Sequence, residues 1–327
     1  MTLDFKGKKV LFITTKNLDY IRNTQETGLI RKDCKSLDII GSDKKSYLKR
    51  LIKVYFGIIK TNMKKYDCVF IGFAPQLVIP FFRWKFRKNY VVIDFFISMY
   101  DTLAFDRKKF KPGSIPGRLL KKFDTVTVKR ADLIISDTRE HGKYFISEFG
   151  ASPDKIYTLY LEADKSVYHP MQVERPDNIR DKFVVLYFGS ILPLQGIDVI
   201  LKAFDLLKDE KNLHFYMIGP IPEKVNKPLN DNIEYISWLP QKKLAEYIAM
   251  SDLCLAGHFN KNNNKANRTI PGKAYTYEAM EKPMVLGDNP ATRERYTDSS
   301  MTYFVEMGNP SALAELIRKI GKDSENG

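Results

Sequence analysis

Two cations and one carboxylate are spaced around a predicted helix start in the segment RTIPGKAYTYEAMEKPMVLGD, residues 268–288. A Pro-Gly pair interrupts the preceding loop, and the pattern predicts a helix from Lys273 to Met280. The free N–H groups and the dipole of a helix N-terminus favour an anion, which Arg268 and Lys273 would also attract. Glu278, inside the helix, could accept hydrogen bonds from ribose hydroxyls. The pattern favours a nucleoside diphosphate site, although a solvated surface helix with one Glu and one Lys would look similar.

A second candidate phosphate site lies in the strand, turn and helix predicted over residues 183–207. Gly189 would let the backbone approach a pyrophosphate closely, and the helix that begins near Gly196 offers its N–H groups. Ser190 and Gln195 lie in the same turn and are candidate donor-binding residues. An ordinary strand–turn–helix would explain both glycines equally well.

Candidate acceptor-side residues follow the strand YVVID, which ends at Asp94. Ligands of open α/β sheets collect beyond the carboxyl ends of the strands, where Asp101 and Arg107 also lie. Either aspartate could give acid–base help at the acceptor, but a helix cap or a loop salt bridge explains each of them as well. We expect His141 to lie on a helix surface.

Two segments of the first third of the chain are strongly basic and rich in apolar residues. Residues 1–100 carry 20 of the 53 Lys and Arg but 8 of the 39 Asp and Glu, so most of the net charge of +14 lies there. Lys44–Lys65 holds eight cations and no acid, and Phe81–Tyr90 mixes aromatic residues with Arg and Lys. Such segments suit an anionic membrane surface. The alternative is a helix that packs on the sheet with its cations in solvent.

Composition limits the class of protein. At 327 residues and 44% hydrophobic composition, the chain is long enough for two packed domains. Three widely spaced cysteines without a CxxC pair indicate a reducing compartment and neither a disulfide frame nor a zinc site. We therefore expect a cytoplasmic protein without a metal or a cofactor. The polar stretch 171–182 predicts a boundary between domains 1–170 and 171–327.

Several stretches resemble the retaining GT-B glycosyltransferases, family 4 in particular. They are FGSILPLQGIDVILKAF, IPGKAYTYEAMEKPMVLGD and GDNPATRE. The resemblance implies two Rossmann-like α/β domains that face a cleft, and metal-independent transfer of a sugar from a nucleotide-sugar, with UDP-sugar expected. It implies Lys273, with Arg268, for the donor phosphates and Glu278 for the ribose. The region around Trp238 would border the nucleobase.

The sequence departs from the family pattern at two positions. Ile270 stands where the family often has a Glu near the donor sugar, and Gln195 stands where it commonly has a Lys that Arg268 could replace. We predict transfer to a glycan or lipid-linked acceptor by a protein peripheral at the inner face of the plasma membrane. The alternatives are a catalytically weak homologue that serves as a scaffold, and a nucleic-acid-binding protein. No RNA-binding sequence pattern is present, so we expect no nucleic acid partner.

Overall fold

The computed structural model describes residues 3–223 and 225–325. The chain divides into two compact units, Met1–Glu162 and Ala163–Gly327. The division lies before the polar stretch 171–182, where composition placed the boundary. Each unit has one parallel six-stranded sheet flanked by helices, so the predicted α/β class with two Rossmann-like domains is confirmed.

The N-terminal unit has the strand order β2-β1-β3-β4-β5-β6, and every paired strand is parallel. Its elements alternate along the chain: β1 Lys9–Ile13, α1 Ile21–Asp33, β2 Ser36–Ile40, α2 Tyr47–Lys60, β3 Cys68–Ile71, α3 Ile79–Phe82, β4 Tyr90–Asp94, α4 Ile115–Arg130, β5 Leu133–Ser136, α5 Arg139–Phe149 and β6 Ile156–Thr158. The segment KIYTLYLEAD, residues 155–164, predicts a longer strand than the three residues that β6 contains.

The central strands are short buried runs of Val, Ile and Phe, as expected when helices cover both faces of a parallel sheet. On one face, Ile30 of α1 belongs to the same core cluster as Phe12 and Phe70. On the opposite face, α2 through α5 form one layer, in which Val54 and Phe145 pack over the strands. This four-helix layer covers one face of the sheet.

The C-terminal unit has the strand order β12-β11-β10-β7-β8-β9. Its elements are β7 Phe183–Phe188, α6 Ile197–Leu206, β8 Leu213–Ile218, β9 Ile233–Ile236, α7 Gln241–Met250, β10 Leu253–Gly257, α8 Gly272–Ala279, β11 Met284–Gly287, α9 Pro290–Arg293, β12 Thr302–Val305 and α10 Pro310–Glu325. The helix predicted from Lys273 to Met280 is confirmed as α8, whose inner side chains Ala274 and Tyr277 are buried.

Two helix starts of the C-terminal unit lie at the carboxyl edge of its sheet. Helix α6 follows β7, and α8 follows the loop after β10, and these two strands are neighbours. Gly196 precedes α6 and Pro271 precedes α8, and neither residue caps its helix with a side chain. The Val199 N–H already donates to the Gly196 carbonyl at 3.0 Å and the Ala274 N–H to the Pro271 carbonyl at 2.9 Å, so only the remaining N–H groups of these first turns are candidates for a ligand.

Candidate functional site

Lys273 is a buried cation in the first turn of α8. Its side chain extends to β7 and to the turn before α6, and the residue is only 7% exposed. Its Nζ donates to Gln195 Oε1 at 2.7 Å and lies 3.5 Å from the hydroxyl of Tyr187. The ammonium also sits 4.7 Å from the centre of the Tyr187 ring. Within residues 3–223 and 225–325, no carboxylate forms an ion pair with Lys273.

Burial makes the charge on Lys273 costly. Desolvation lowers the pKa of its ammonium to about 7. The amide oxygen of Gln195 satisfies one donor but contributes no negative charge to offset that cost. An anion that reached this ammonium would favour the charged form and raise the pKa again.

Three glycines allow the backbone to approach this ammonium closely. A β-carbon at Gly189 would lie 3.2 Å from Lys273 Nζ, and one at Gly257 would lie 2.5 Å from Gln195 Oε1. A β-carbon at Gly219 would lie 2.2 Å from the carbonyl oxygen of Gly189. All three residues have positive φ, which favours glycine. The lysine end is thus surrounded by bare backbone, as phosphate-binding loops commonly are.

The structure brings together several of the predicted donor-binding residues. Gly189, Gln195 and Lys273 are in contact, and Gly196 begins α6 in the left-handed conformation at φ 70°. A β-carbon at Gly196 would overlap the backbone of Phe259 and Asn260, so glycine is required there for packing. The side chain of Ser190 is exposed in the turn after β7.

Glu278 lies near the other end of α8 and is already paired. Its carboxylate accepts from Arg295 Nη2 at 3.0 and 2.8 Å and from the hydroxyl of Tyr296 at 3.1 Å. The Arg295 guanidinium also lies 5.4 Å from the centre of the Tyr275 ring. Glu278 is exposed, and its ribose role stays a prediction.

Arg268 lies before α8, whereas Trp238 lies after β9. Arg268 is half-buried and ends a short 3-10 helix, Asn264–Asn267, before α8. Trp238 follows β9 and is 72% exposed, so its ring is available to contact a base. Ile270, which stands where the resembling family often has a Glu, is buried beside the start of α8.

Asp94 is held in a buried ion pair in the N-terminal unit. Arg22 of α1 donates from Nε to Asp94 Oδ2 and from Nη2 to Asp94 Oδ1, both at 3.1 Å. Glu26 lies 3.4 Å from the same Nε, and burial followed by the charge of Asp94 raises the pKa of Glu26 well above its usual range. This arrangement gives Asp94 a structural partner, and its acid–base role stays a prediction without geometric support.

The remaining acceptor-side candidates, Asp101 and Arg107, differ in their exposure to solvent. Asp101 is buried in a π-helical turn, Asp101–Asp106, whereas Arg107 at its end is exposed.

The expectation that His141 lies on a helix surface is wrong. His141 is fully buried in the first turn of α5, because its Nδ1 pairs with Asp137 Oδ1 at 2.6 Å and its ring packs on Phe145.

The basic segments divide into packed and exposed halves. In α2, Val54 and Ile58 enter the core, whereas Leu48 is 66% exposed and Phe56 is 60% exposed. In Phe81–Tyr90, the rings of residues 82 and 86 are buried, and Trp84 is 62% exposed. The helix therefore packs on the sheet, as the alternative interpretation held, and still presents a second apolar face.

One cation of these segments has a structural role instead. Lys85 Nζ donates to the carbonyl oxygens of Ile58 at 2.8 Å, Ile59 at 2.5 Å and Thr61 at 3.2 Å. These carbonyls lie at the end of α2, where a cation complements the helix dipole.

Sequence reasoning missed Tyr187, Gly257 and the Arg22 partner of Asp94. Tyr187 lies in a fully apolar strand pattern, and only the preference of a buried tyrosine for a polar partner could have singled it out. Gly257 ends a predicted strand, where an isolated glycine can indicate close backbone approach. No local signal links Arg22 to Asp94, because the two residues are far apart in sequence.

Two features are absent from the residues that the structure describes. Across residues 3–223 and 225–325, no three His, Cys, Asp or Glu side chains come close enough together to hold a metal ion. In the same residues, no helix combines the length and the apolar composition needed to span a bilayer.

Comparison with known proteins follows the same division of the chain. Residues 182–323, nearly all of the C-terminal unit, match the family described as Glycosyl transferases group 1. "Probable glycosyltransferase WbjE" of Pseudomonas aeruginosa is 23% identical over 273 residues, which are 80% of this chain and 68% of that protein. Chitobiosyldiphosphodolichol beta-mannosyltransferase of Candida albicans is 22% identical over 67% of this chain and 51% of its own length.

A solved structure extends the likeness to both units. Anabaena HepE in complex with UDP matches 97% of this chain and 91% of its own chain, with a TM-score of 0.64 and 12% identity. At this identity the match shows a shared fold, and it confirms the predicted GT-B class.

Proposed function

We propose that this chain, which belongs with the GT-B glycosyltransferases, binds the diphosphate of a nucleotide-sugar at Lys273 and transfers the sugar to an acceptor. Its fold, its relatives and the match over residues 182–323 support that assignment. The relatives connect the chain with sugar transfer related to polysaccharides or lipid-linked glycans. The donor, the reaction course and the membrane partner below are proposals.

The observation that carries the donor proposal is the unpaired charge of Lys273. A buried ammonium without a carboxylate partner is costly unless an anion completes its environment. Gly189 and Gly257 let an anion approach it, and the first turns of α6 and α8 add N–H donors nearby. A diphosphate carries negative charge to pair with the ammonium, and it has several oxygens that accept hydrogen bonds from the N–H groups.

The same groups would stabilise the leaving diphosphate during transfer. Charge that develops on the leaving phosphate is met best by preorganised donors in a site shielded from water. We propose that Lys273, with Arg268 at the end of the preceding 3-10 helix, supplies this charge without a metal ion. We also propose UDP as the nucleotide, because HepE was solved with UDP, and retention of configuration, which the resemblance implies. EDTA-insensitive turnover would test the absence of a metal ion, and the anomer of the first product would test retention.

The donor proposal is tested by calorimetric titration of UDP, GDP, ADP and CMP into the wild type and into Lys273→Met. Methionine keeps the length and the apolar stem of lysine but removes the charge. Because charged hydrogen bonds contribute about 1.5–3 kcal/mol, we expect UDP affinity to fall about 10- to 100-fold. Lys202→Met, on the outer face of α6, is the matched control and should bind UDP normally. Equal UDP affinity in Lys273→Met and wild type would refute the assignment.

We further propose that the four-helix layer of the N-terminal unit docks on an anionic membrane. Along α2, the side chains of Leu48, Ile52, Phe56 and Ile59 are exposed at helical spacing. Phe81 and Trp84 extend the same surface, since the rings of Phe81 and Tyr55 lie 6.1 Å apart between α3 and α2.

Cations surround this apolar surface, which we call the α2–α3 surface. The exposed cations are Lys44, Lys45, Lys49, Lys53, Lys60, Lys64, Lys65, Arg83, Arg87 and Lys88. No acidic residue occurs in 44–65 or 75–90. Each Lys or Arg near an anionic leaflet adds about 1 kcal/mol, and the apolar side chains enter the interface. The charge favours anionic lipid over another apolar protein surface.

Flotation with phosphatidylcholine vesicles, with and without phosphatidylglycerol, tests this docking. The wild type should float only with the anionic vesicles, and the double variant Phe56→Glu with Trp84→Glu should stay in the soluble fraction. Neutralising Lys60, Lys64 and Lys65 should weaken flotation without changing UDP affinity. Leu229→Glu, at an exposed leucine of the C-terminal unit, is the control. Undiminished flotation of the double variant would contradict the proposal.

A further inference from the structure

The N-terminal sheet has a topological switch point between β1 and β3. From β1 the chain crosses through α1 to β2 on one side, and from β3 it crosses through α3 to β4 on the other. The two helices cover opposite faces of the sheet. In open α/β sheets, ligands bind outside the carboxyl ends of the strands at such a point.

Three aromatic side chains, Tyr20, Phe73 and Phe96, meet at this edge, and we call them the aromatic cluster. The centre of the Tyr20 ring is 5.6 Å from that of Phe73 and 6.5 Å from that of Phe96. The rings of Phe73 and Phe96 are 6.1 Å apart. Each residue is half-buried, so the cluster is open at the sheet edge and is separate from the two core clusters.

A lysine lies over the aromatic cluster. Lys16 Nζ is 5.5 Å from the centre of the Tyr20 ring and 5.3 Å from that of Phe73. In the part of the chain that the structure describes, no carboxylate forms an ion pair with Lys16. Asp94 forms its ion pair with Arg22 instead. The Arg22 guanidinium lies 5.9 Å from the centre of the Phe96 ring.

The loop that carries Lys16 is held in place by hydrogen bonds. Asn23 of α1 accepts from the hydroxyl of Thr14 at 3.1 Å and donates to the carbonyl of Asn17 at 2.7 Å. The hydroxyl of Thr15 donates to the carbonyl of Phe73 at 3.0 Å and thereby ties the loop after β1 to the loop after β3. Ala74 adopts a left-handed conformation with φ 56°. Both walls of the edge are therefore preorganised.

We propose that Lys16 and the aromatic cluster form an acceptor subsite for a sugar ring that carries a phosphate group. This inference rests on the proposed glycosyl transfer and names the acceptor class. The apolar C–H face of a sugar ring packs on flat aromatic side chains, while its hydroxyls stay in water. Lysine binds phosphate as a point charge, and Lys16 Nζ lies over the rings of Tyr20 and Phe73. Free sugar phosphates and the head groups of lipid-linked sugars share this chemistry.

Ligand-observed NMR with glucose 1-phosphate tests the subsite in the full chain, with UDP present at saturation to occupy the donor site. Glucose 1-phosphate should bind more tightly than glucose or inorganic phosphate alone. Lys16→Met should weaken it about tenfold, the loss expected for one charged contact. Phe96→Leu should weaken it while the phosphate contact remains. Lys32→Met, an exposed lysine of α1, is the matched control.

The outcomes separate this inference from the proposed function. Unchanged glucose 1-phosphate affinity in Lys16→Met, with UDP still bound, would overturn the subsite and leave the donor proposal intact. Inorganic phosphate binding as tightly as glucose 1-phosphate would also overturn it, because the aromatic cluster would then contribute nothing. A water-soluble prenyl diphosphate sugar that competes with glucose 1-phosphate and binds more tightly would support the subsite and identify a lipid head group as its source.

Discussion

Each unit of this chain buries a cation, and the two cations have opposite surroundings. In the N-terminal unit, burial opposes the charge of Arg22, but Asp94 and Glu26 outweigh it and hold the pKa of Arg22 above its ordinary value. In the C-terminal unit, Lys273 has only neutral partners, Gln195 and Tyr187, and its pKa falls to about 7. The comparison teaches that the carboxylate partners of Arg22 offset the cost of burying its charge, whereas the neutral partners of Lys273 leave that cost to be offset by a ligand anion.

The largest expected effect is on the free energy of unfolding, and it tests the contrast between Arg22 and Lys273. Arg22→Met would leave Asp94 buried without its partner, and we expect it to lower the free energy of unfolding by about 3–5 kcal/mol. Lys273→Met removes a charge that nothing in its own unit pairs, so it should leave that free energy unchanged or raise it. Urea unfolding with hydrogen exchange of β1–β4 and β7–β10 measures both. Equal destabilisation by the two variants would contradict the contrast.

The next effect concerns the glycines that surround Lys273. In Gly257→Ala the new β-carbon would lie 2.5 Å from Gln195 Oε1 at a φ of 93°, so Gln195 must move and the backbone is strained. Such strain costs about 1–3 kcal/mol. We expect UDP affinity to fall about tenfold in calorimetric titration. Gly28→Ala, where a β-carbon meets nothing within 4 Å, is the matched control and should bind normally.

A smaller effect comes from Glu26 and depends on pH. Its pKa is raised by burial and by Asp94, with Arg22 opposing, and Asp137 also acts on this cluster. Because the folded-state pKa of Glu26 lies above the unfolded value, the stability it contributes is present at low pH and is lost as pH rises. The slope is at most about 1.4 kcal/mol per pH unit. Thermal unfolding should show Glu26→Gln stabilised relative to wild type at alkaline pH, with the advantage shrinking towards pH 4. A constant difference at all pH values would be inconsistent with the raised pKa of Glu26.

The smallest expected effect tests the ribose assignment. Glu278→Ala should weaken UDP about fivefold, because one exposed hydrogen-bonded contact contributes about 1 kcal/mol. Inorganic pyrophosphate lacks a ribose, so its affinity should not change. Competition titration of both ligands makes the comparison. A parallel loss for UDP and pyrophosphate would show that Glu278 acts on the phosphates or on the fold instead.

The sequence predicted the elements better than it predicted the contacts between them. Helix α8 and strand β11 lie where the Pro and Gly punctuation put them, and the contact of Lys273 with the Gly189 turn agrees with two independent motifs. Local pattern could not show that Asp94 meets Arg22 or that His141 turns inward to Asp137, because tertiary packing decides both. Glu278 is a similar case, since its partner Arg295 lies beyond the next strand.

The basic segments show the same limit on a larger scale. The helical spacing of the apolar residues in Lys44–Lys65 predicts one broad apolar stripe, but the structure separates the buried Val54 and Ile58 from the exposed Leu48 and Phe56. An apolar stripe that faces both the sheet and a second, exposed surface has the same sequence pattern as a broad stripe that faces the sheet alone. Only the packing of α2 on the sheet distinguishes them.

The most direct test of the account measures protons taken up when UDP binds. Since Lys273 has a pKa of about 7 when its site holds no anion, it is mostly neutral at pH 8 and must gain a proton when a diphosphate raises that pKa. Calorimetry at pH 8 in buffers of different ionisation enthalpy should therefore show close to one proton taken up per UDP, and none in Lys273→Arg, which stays charged. Wild-type binding of UDP without proton uptake would contradict the claim that Lys273 receives the donor diphosphate.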